Sequence, residues 1–338
     1  MPKGTPTIKE IAKKLNISFS TVSRALHDHP SIGLGTKLKV KKLAEELGYE
    51  PNQTAVFLQQ GKTYTIGVIL PHLAESFFPA AISGIEEVAI KNDYVVLLGQ
   101  SLDSLEREIM LVESMRKHRV DGLIISMAKN THNYEHFEKL KKSNLPIVFF
   151  DCIPNMKEIH TVSCNMISGS IQAVSYLLKN GHRVIGLING PEKLAASRER
   201  LEGYKQALLK NRLKFDPSLV VNYDLTKEGN IKALNEILKN KRKITAIVAF
   251  HDNLALDIMQ ELDTRKSENK IVIVSYANLP MMQFLKYKPN ASVEQFPFLQ
   301  GKKATEILLD IIKNKNNEDT ENNAYYKIIL DSKLIEYN

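Results

Sequence analysis

The sequence predicts an α/β chain in three parts: a small all-helical unit at the N-terminus, then two lobes of parallel strands covered by helices. Three observations predict it. The first fifty residues carry helical periodicity, capping residues and stop signals. From Thr65 onward, short Val/Ile-rich runs alternate with amphipathic helical stretches, the pattern of βαβ units and buried parallel sheets. That alternation runs twice, restarting near Ser168. Two series imply two lobes, with a ligand cleft at the carboxyl ends of their strands.

The N-terminal unit reads as three short helices. Thr7 and Glu10 form a T-x-x-E capping box, and Ile8, Ile11, Ala12 and Leu15 follow at i, i+3, i+4 and i+7. Asn16 and Ser18 bracket a tight turn, with Ser18 placed to cap a second helix. A third helix is expected from about Thr36, with Val40, Leu43, Ala44 and Leu47 on one face and Gly48 ending it. At 100° per residue, Val22, Ala25 and Leu26 fall on one side of the second helix, with Thr21 beside them. Phe19, Ser20, Ser23, Arg24 and His27 share the opposite arc. Hydroxyls, a guanidinium and an imidazole can bond base edges and phosphates, and two short helices with the second facing outward describe a helix-turn-helix. Charge agrees with this. Residues 1–62 hold ten Lys and Arg against five Asp and Glu, so most of the chain's formal +8 sits at the end expected to meet an anionic polymer.

A short segment links this unit to the rest. In "PNQTAVFLQQGKT", Asn52 can cap a helix carrying Ala55 and Leu58 that stops at Gly61, too short to hold alone in water. The first lobe series then runs through "TIGVILP", "VVLLGQS", "DGLIIS" and "PIVFFDC". The second runs through "VIGLING", "VVNYDL", "AIVAFHD" and "IVIVSYAN". Near the C-terminus "NNEDTENN" reads as an exposed loop.

Several function classes lack support. No apolar run approaches the roughly 18 residues that span a bilayer, and the N-terminus lacks the apolar core of a signal peptide, so a cytoplasmic protein is expected. The two cysteines, Cys152 and Cys164, have no metal-ligand spacing, and no metal or cofactor is expected. No G-x-G-x-x-G, P-loop or G-x-S-x-G follows any strand, so no catalytic residue is assigned. His251 and Asp252 are adjacent, and neighbours on a strand point to opposite faces. The expected strand ends do carry groups suited to a sugar-like ligand: Ser126, Asp151, His251, Asp252 and Asn278, with Arg200 at a helix start.

"TIKEIAKKLNISFSTVSRAL" followed by "TKLKVKKLAEELGYEPN" closely resembles the headpiece of the lactose and galactose repressor family, and the resemblance continues through nearly the whole chain. It implies a DNA-binding transcriptional regulator, a repressor, dimeric on a near-palindromic operator and controlled allosterically by a small sugar-like effector. By analogy Phe19, Ser20 and Arg24 read bases, Thr21 and Ser23 mostly touch phosphates, and Thr7, Ser18 and His27 complete the DNA-binding set. In relatives the hinge helix folds on DNA and drives a leucine into the minor groove, a position held here by Leu58, with Ala55 beside it. The resemblance to periplasmic-binding-protein-like regulators puts Phe77, Phe78, Asp151, Arg200, Asp252 and Gln295 around the effector. The departures are His27 for a usual asparagine, Gly33 for a Ser-rich cap, Cys152 for a common arginine, Cys164 for an aspartate, and Ala277 for a frequent ligand-binding aspartate. The implied domains are a headpiece over 1–50, a hinge over 51–62, and a two-lobed effector-binding and dimerisation domain over 63–338. Its lobes are expected at roughly 63–162 plus 293–324, and 163–292 plus 325–338. The rival expectation is a sugar-binding transport component, whose core would look alike.

Overall fold

The computed structural model describes residues 6–49, 61–265, 270–314 and 324–337. Ala55 and Leu58 of the expected hinge helix, and the expected loop "NNEDTENN", lie outside them. The chain divides into two compact units, Met1–Thr63 and Tyr64–Asn338.

The smaller unit contains α1 (Ile8–Leu15), α2 (Phe19–Leu26) and α3 (Leu34–Leu47). Its core is built from Ile11, Ala12, Val22, Ala25, Val40 and Ala44, the apolar stripes of three amphipathic helices turned inward. Thr7 Oγ1 accepts from the Glu10 N–H at 3.4 Å, and Ser18 Oγ accepts from the Thr21 N–H at 3.1 Å. Helix α3 starts two residues ahead of the expected Thr36, because the Gly33 carbonyl already takes the N–H groups of Thr36 and Lys37. Gly33 itself supplies no side-chain cap.

The larger unit holds two six-stranded sheets. The first is ordered β11-β5-β4-β3-β1-β2. Its strands are β1 (Thr65–Leu70), β2 (Val95–Gln100), β3 (Gly122–Ile125), β4 (Ile147–Phe150), β5 (His160–Asn165) and β11 (Lys327–Asp331), all parallel. The second is ordered β12-β10-β9-β8-β6-β7. It comprises β6 (Ile185–Asn189), β7 (Val220–Asn222), β8 (Ala246–Ala249), β9 (Val272–Tyr276), β10 (Ala291–Glu294) and β12 (Lys333–Glu336), with β12 antiparallel to β10. Alternate residues of one strand serve two cores. Ile66, Val68 and Leu70 pack on one face of the first sheet and Ile69 on the other, which is why the strands read as unbroken apolar runs.

Eight α-helices of this unit are described: α4 (Phe77–Ile90), α5 (Leu105–Lys117), α6 (Glu135–Lys142), α7 (Met166–Lys179), α8 (Ala195–Lys210), α9 (Lys227–Leu238), α10 (Asp252–Thr264) and α11 (Pro297–Asn314), together with 3-10 turns at Pro217–Leu219 and Pro280–Phe284. Helices α4 and α11 cross closely enough that a Cβ on Gly84 would lie 2.0 Å from the Phe298 carbonyl oxygen. Only glycine fits there.

The lobe limits differ from expectation at the C-terminus. Residues 325–338 do not all join the second lobe, because β11 pairs with β5 in the first sheet and only β12 enters the second. The first lobe also does not resume at 293, since β10 is a strand of the second sheet. Ser332 makes the switch between sheets: its Oγ donates to the Asn165 carbonyl at 2.9 Å, and its own carbonyl accepts from Gln172 Nε2 at 3.0 Å. In sequence "KIILDSKLIE" is one continuous strand-like run, with no turn residue to announce the crossover.

Candidate functional site

Two surfaces carry the chemistry, one in each unit. In the smaller unit, α2 buries Val22 and Ala25 and turns Phe19, Ser20, Arg24 and His27 outward, with Thr21 and Ser23 half-buried beside them. Phe19 keeps 55% of its surface open at the first position of the helix. Ser18 is committed to the cap, and its Oγ is also bonded to the hydroxyls of Ser20 and Thr21, each at 2.8 Å. Thr7 is exposed and occupied as the cap of α1.

In the larger unit, the candidate residues stand at or near the carboxyl ends of the strands, where ligands of such sheets bind, and Asp151 of the first lobe and Arg200 of the second interact electrostatically. Arg200 on α8 is 4% exposed. Its guanidinium carbon lies 3.9 Å from the Phe250 ring centroid and 4.3 Å from that of Tyr276, so two aromatic faces clamp the cation. Its Nε and Nη1 have no hydrogen-bond partner. Ser197 Oγ, one turn earlier on α8, and Asn189 Oδ1, at the end of β6, are likewise buried and unpartnered. Among the described residues seven buried side-chain polar atoms lack partners, and these are four of them. Gly190 keeps the place open, since a Cβ there would lie 2.8 Å from Phe250 and 2.9 Å from Ser197 Oγ.

The first lobe contributes Asp151, which follows β4 in a left-handed conformation at φ 56°. Ser126 Oγ donates to Asp151 Oδ2 at 3.3 Å. Burial pushes the Asp151 carboxyl up to about 6, against the hydrogen bonds from Cys152 and Ser126 and the positive charge of Arg200. Phe77 is half-buried at the start of α4.

Five expected effector residues are buried or engaged within the protein. Phe78 is 3% exposed and belongs to the core of the first lobe, because its neighbour on the helix takes the outward position. Asp252 is fully buried and committed within the second lobe, with Oδ1 accepting from Ser275 Oγ and Ser292 Oγ and Oδ2 from the Leu279 N–H at 2.8 Å. It opens α10 instead of ending β8, and it ties three segments of the second lobe together. Asn278 is also committed, donating to Glu294 Oε2 and accepting from Tyr337 Oη, each at 2.7 Å. His251 caps α10 through Nδ1, which accepts from the Leu254 N–H at 2.9 Å. Nε2 therefore carries the ring proton and donates it to Tyr223 Oη at 3.2 Å. Burial and then the Arg200 charge pull its pKa down to about 4, so the ring is neutral. Gln295 is buried at the crossover from β10 to α11, where its carbonyl accepts from Gln300 Nε2.

Sequence reading missed Asn189, Ser197, Tyr223, Phe250 and Tyr276. Four of these stand at or just beyond the ends of the second-series strands, in "LING", "VVNYDL", "AIVAFHD" and "IVIVSYAN", so applying the strand-end rule to every strand would have found them.

Residues 7–52 match the family described as "Bacterial regulatory proteins, lacI family". Residues 63–331 match "Periplasmic binding proteins and sugar binding domain of LacI family". The chain belongs to the lacI family. Among relatives of this lacI-family chain, catabolite control protein A of Priestia megaterium is 32% identical over 275 residues, covering 80% of this chain and 82% of that protein. The HTH-type transcriptional repressor CytR of Escherichia coli strain K12 is 29% identical over 314 residues, covering 92% and 91%. A solved LacI family transcriptional regulator from Enterococcus faecium with bound ribose is 25% identical with a TM-score of 0.68, covering 80% and 97%. A transport component is not favoured, because the regulatory family match supplies a DNA-reading unit that a carrier does not need.

Proposed function

We propose that this lacI-family chain is a cytoplasmic transcriptional repressor. It binds a near-palindromic operator as a homodimer through α2, and a small polyhydroxylated sugar in the interlobe cleft changes its grip on DNA. The effector half rests on one observation: a buried guanidinium clamped by two rings, with two N–H donors unpartnered beside Ser197 Oγ and Asn189 Oδ1. Buried polar groups are ordinarily satisfied, and adjacent ring hydroxyls can accept from the arginine fork and donate to the asparagine oxygen. The half-buried Phe77 and buried Tyr223 supply apolar and hydroxyl contacts around such a ring.

Exposed apolar side chains support dimerisation. In the first lobe Val95, Leu97 and Leu98 on the edge strand β2 stand open with Ile90 and Met110. In the second, Met281, Phe284 and Tyr287 are exposed, Phe284 by 82%. Such patches cost free energy in water unless a second copy covers them, and a two-fold dimer copies its symmetry into its operator. The protein acts by binding, with no catalytic step. Among the described residues no helix is long and apolar enough to cross a membrane, and no group of His, Cys, Asp and Glu is placed to hold a metal.

A thermal-shift screen of pentoses, hexoses and disaccharides, run beside selection of random duplexes, tests both halves. The expected result is a sugar that raises the melting temperature by mass action, together with a near-palindromic selected site. An asymmetric site overturns the dimeric reading. Stabilisation by no sugar overturns the effector reading.

A further inference from the structure

We infer that the effector is a sugar acid, whose carboxylate pairs with Arg200 while its hydroxyls meet Asn189, Ser197 and Asp151. The inference rests on the effector site proposed above and deepens it by naming the charge of the ligand.

The charges around Arg200 do not balance. Arg200 is 4% exposed, and among the described residues no carboxylate forms an ion pair with it. Asp151 and Glu199 act on it only through space. Asp252 of the same lobe is engaged by Ser275, Ser292 and the Leu279 N–H. The residue that follows β9 is Ala277, which brings no charge. Two other basic groups add no free cation here: Lys129 is paired with Asp103 at 2.8 Å, and the buried His251 ring is neutral. One positive charge is left uncompensated, and buried charges are ordinarily paired. A single carboxylate matches it, whereas a phosphate dianion would bring one negative charge too many.

The hydrogen-bond inventory agrees. The Phe250 and Tyr276 rings lie over the guanidinium, so Arg200 has its in-plane N–H groups left to offer, and Nε and Nη1 have no partner. Tyr223 Oη already accepts from His251 Nε2 at 3.2 Å, so its own proton is still to be donated. The Arg200 charge acts on that same hydroxyl. What converges is therefore a set of donors around a cation. A carboxylate is planar and acceptor-only, and takes several such donors at once, while a hydroxyl in its place has its own proton to accommodate. The sugar's hydroxyls have different partners. Asn189 Oδ1 is a buried acceptor without one, because Asn189 Nδ2 donates to the Ser197 carbonyl at 2.9 Å. Ser197 Oγ is unpartnered as well, and Asp151 offers a carboxylate from the first lobe.

Calorimetry on the full-length protein at constant ionic strength tests this. Glucuronate and galacturonate are each compared with the parent hexose, the uncharged and isosteric hexuronamide, and the hexose 6-phosphate. Gluconate is compared with sorbitol and gluconamide. At least one acid should bind about tenfold or more tightly than its alcohol, its amide and its phosphate, the low end of what a hydrogen bond to a charged group contributes. The neutral parent still binds, more weakly. Arg200→Met should bring acid and amide to within about twofold of each other, and Arg200→Lys, which keeps the charge without the fork, should retain part of the preference. Thermal unfolding checks the fold of both variants, and the comparison of acid with amide needs no variant.

A parent sugar or amide that binds as tightly as its acid overturns the inference and leaves the sugar response standing, with Asp151 then the counter-charge. Tighter binding of a 6-phosphate also overturns it, as does a preference for acid that survives in Arg200→Met. Binding by no acid of the panel overturns it too, and the neutral-sugar screen then shows whether the effector reading falls with it.

Discussion

Replacing Arg200 by methionine should stabilise the ligand-free protein while removing its sugar response. Arg200 is 4% exposed, and no carboxylate forms an ion pair with it among the described residues. Burying an ion costs several kcal/mol even after the protein relaxes around it, and burial holds the Arg200 pKa below its ordinary value. Against that cost, the Phe250 and Tyr276 faces return about 0.5–2 kcal/mol each. Methionine keeps a flexible apolar stem between the rings and gains about 0.3–1.5 kcal/mol from sulfur–aromatic contact. The balance is a gain of about 1–3 kcal/mol, comparable to what apolar replacement of buried ions gives elsewhere. At this chain length that raises the melting temperature by about 2–8 °C. Thermal unfolding without ligand measures the first effect, and calorimetric titration with the sugar found by screening measures the second. A variant that is less stable by more than about 1 kcal/mol and still binds the sugar would refute the reasoning, because Arg200 would then be a structural clamp.

Three further outcomes follow from the same geometry. Asp252→Ala should destabilise the larger unit by about 3–5 kcal/mol, since it strands two hydroxyls and a backbone N–H in the interior, while leaving the sugar contacts of the folded protein in place; urea unfolding with a parallel sugar titration checks it. His251 is depressed to about 4 from an ordinary 6.5, so the unfolded chain binds the extra proton between those values and the native state loses stability as pH falls from about 6.5 to about 4. His251→Asn keeps a capping side chain without the titration, so unfolding measured across that window should show a flatter pH dependence for the variant. Ala277→Gly should stabilise the protein by about 0.5–2 kcal/mol, because Ala277 is held at φ 108° after β9; an unchanged or lower melting temperature would show that the neighbouring contacts, not the backbone, set the conformation.

Much of the fold was legible because its physics is local. Val22 and Ala25 are buried on α2 where helical periodicity put them, and Ser18 caps that helix as its position implied. The alternation of apolar runs and amphipathic stretches gave two parallel sheets, since strands buried on both faces must read as continuous Val and Ile. What escaped was non-local. Nothing in "KIILDSKLIE" says that its halves belong to different sheets, because that choice depends on pairing with β5 and β10, far away in the chain. The site was legible by type and less so by role. Asp151 and Arg200 remain as the polar groups of the proposed effector site, whereas Asp252 and Asn278 looked equally suitable in sequence and are engaged by Ser275, Ser292, Glu294 and Tyr337. Only the three-dimensional count of hydrogen-bond partners separates a carboxylate that holds the lobe together from one that faces a ligand.

The most direct test of the account is operator affinity measured with and without the sugar, at one fixed salt concentration, by fluorescence anisotropy on the selected near-palindromic duplex. Fixed salt matters because phosphate contacts alone can move affinity by orders of magnitude. The account predicts at least an approximately tenfold change in operator Kd on saturation with sugar, a coupling of about 1.4 kcal/mol between the cleft and the DNA-binding unit, and no such change in Arg200→Met. A sugar that binds the cleft by calorimetry yet leaves operator Kd within about twofold would contradict it, since the two sites would then share no coupling free energy.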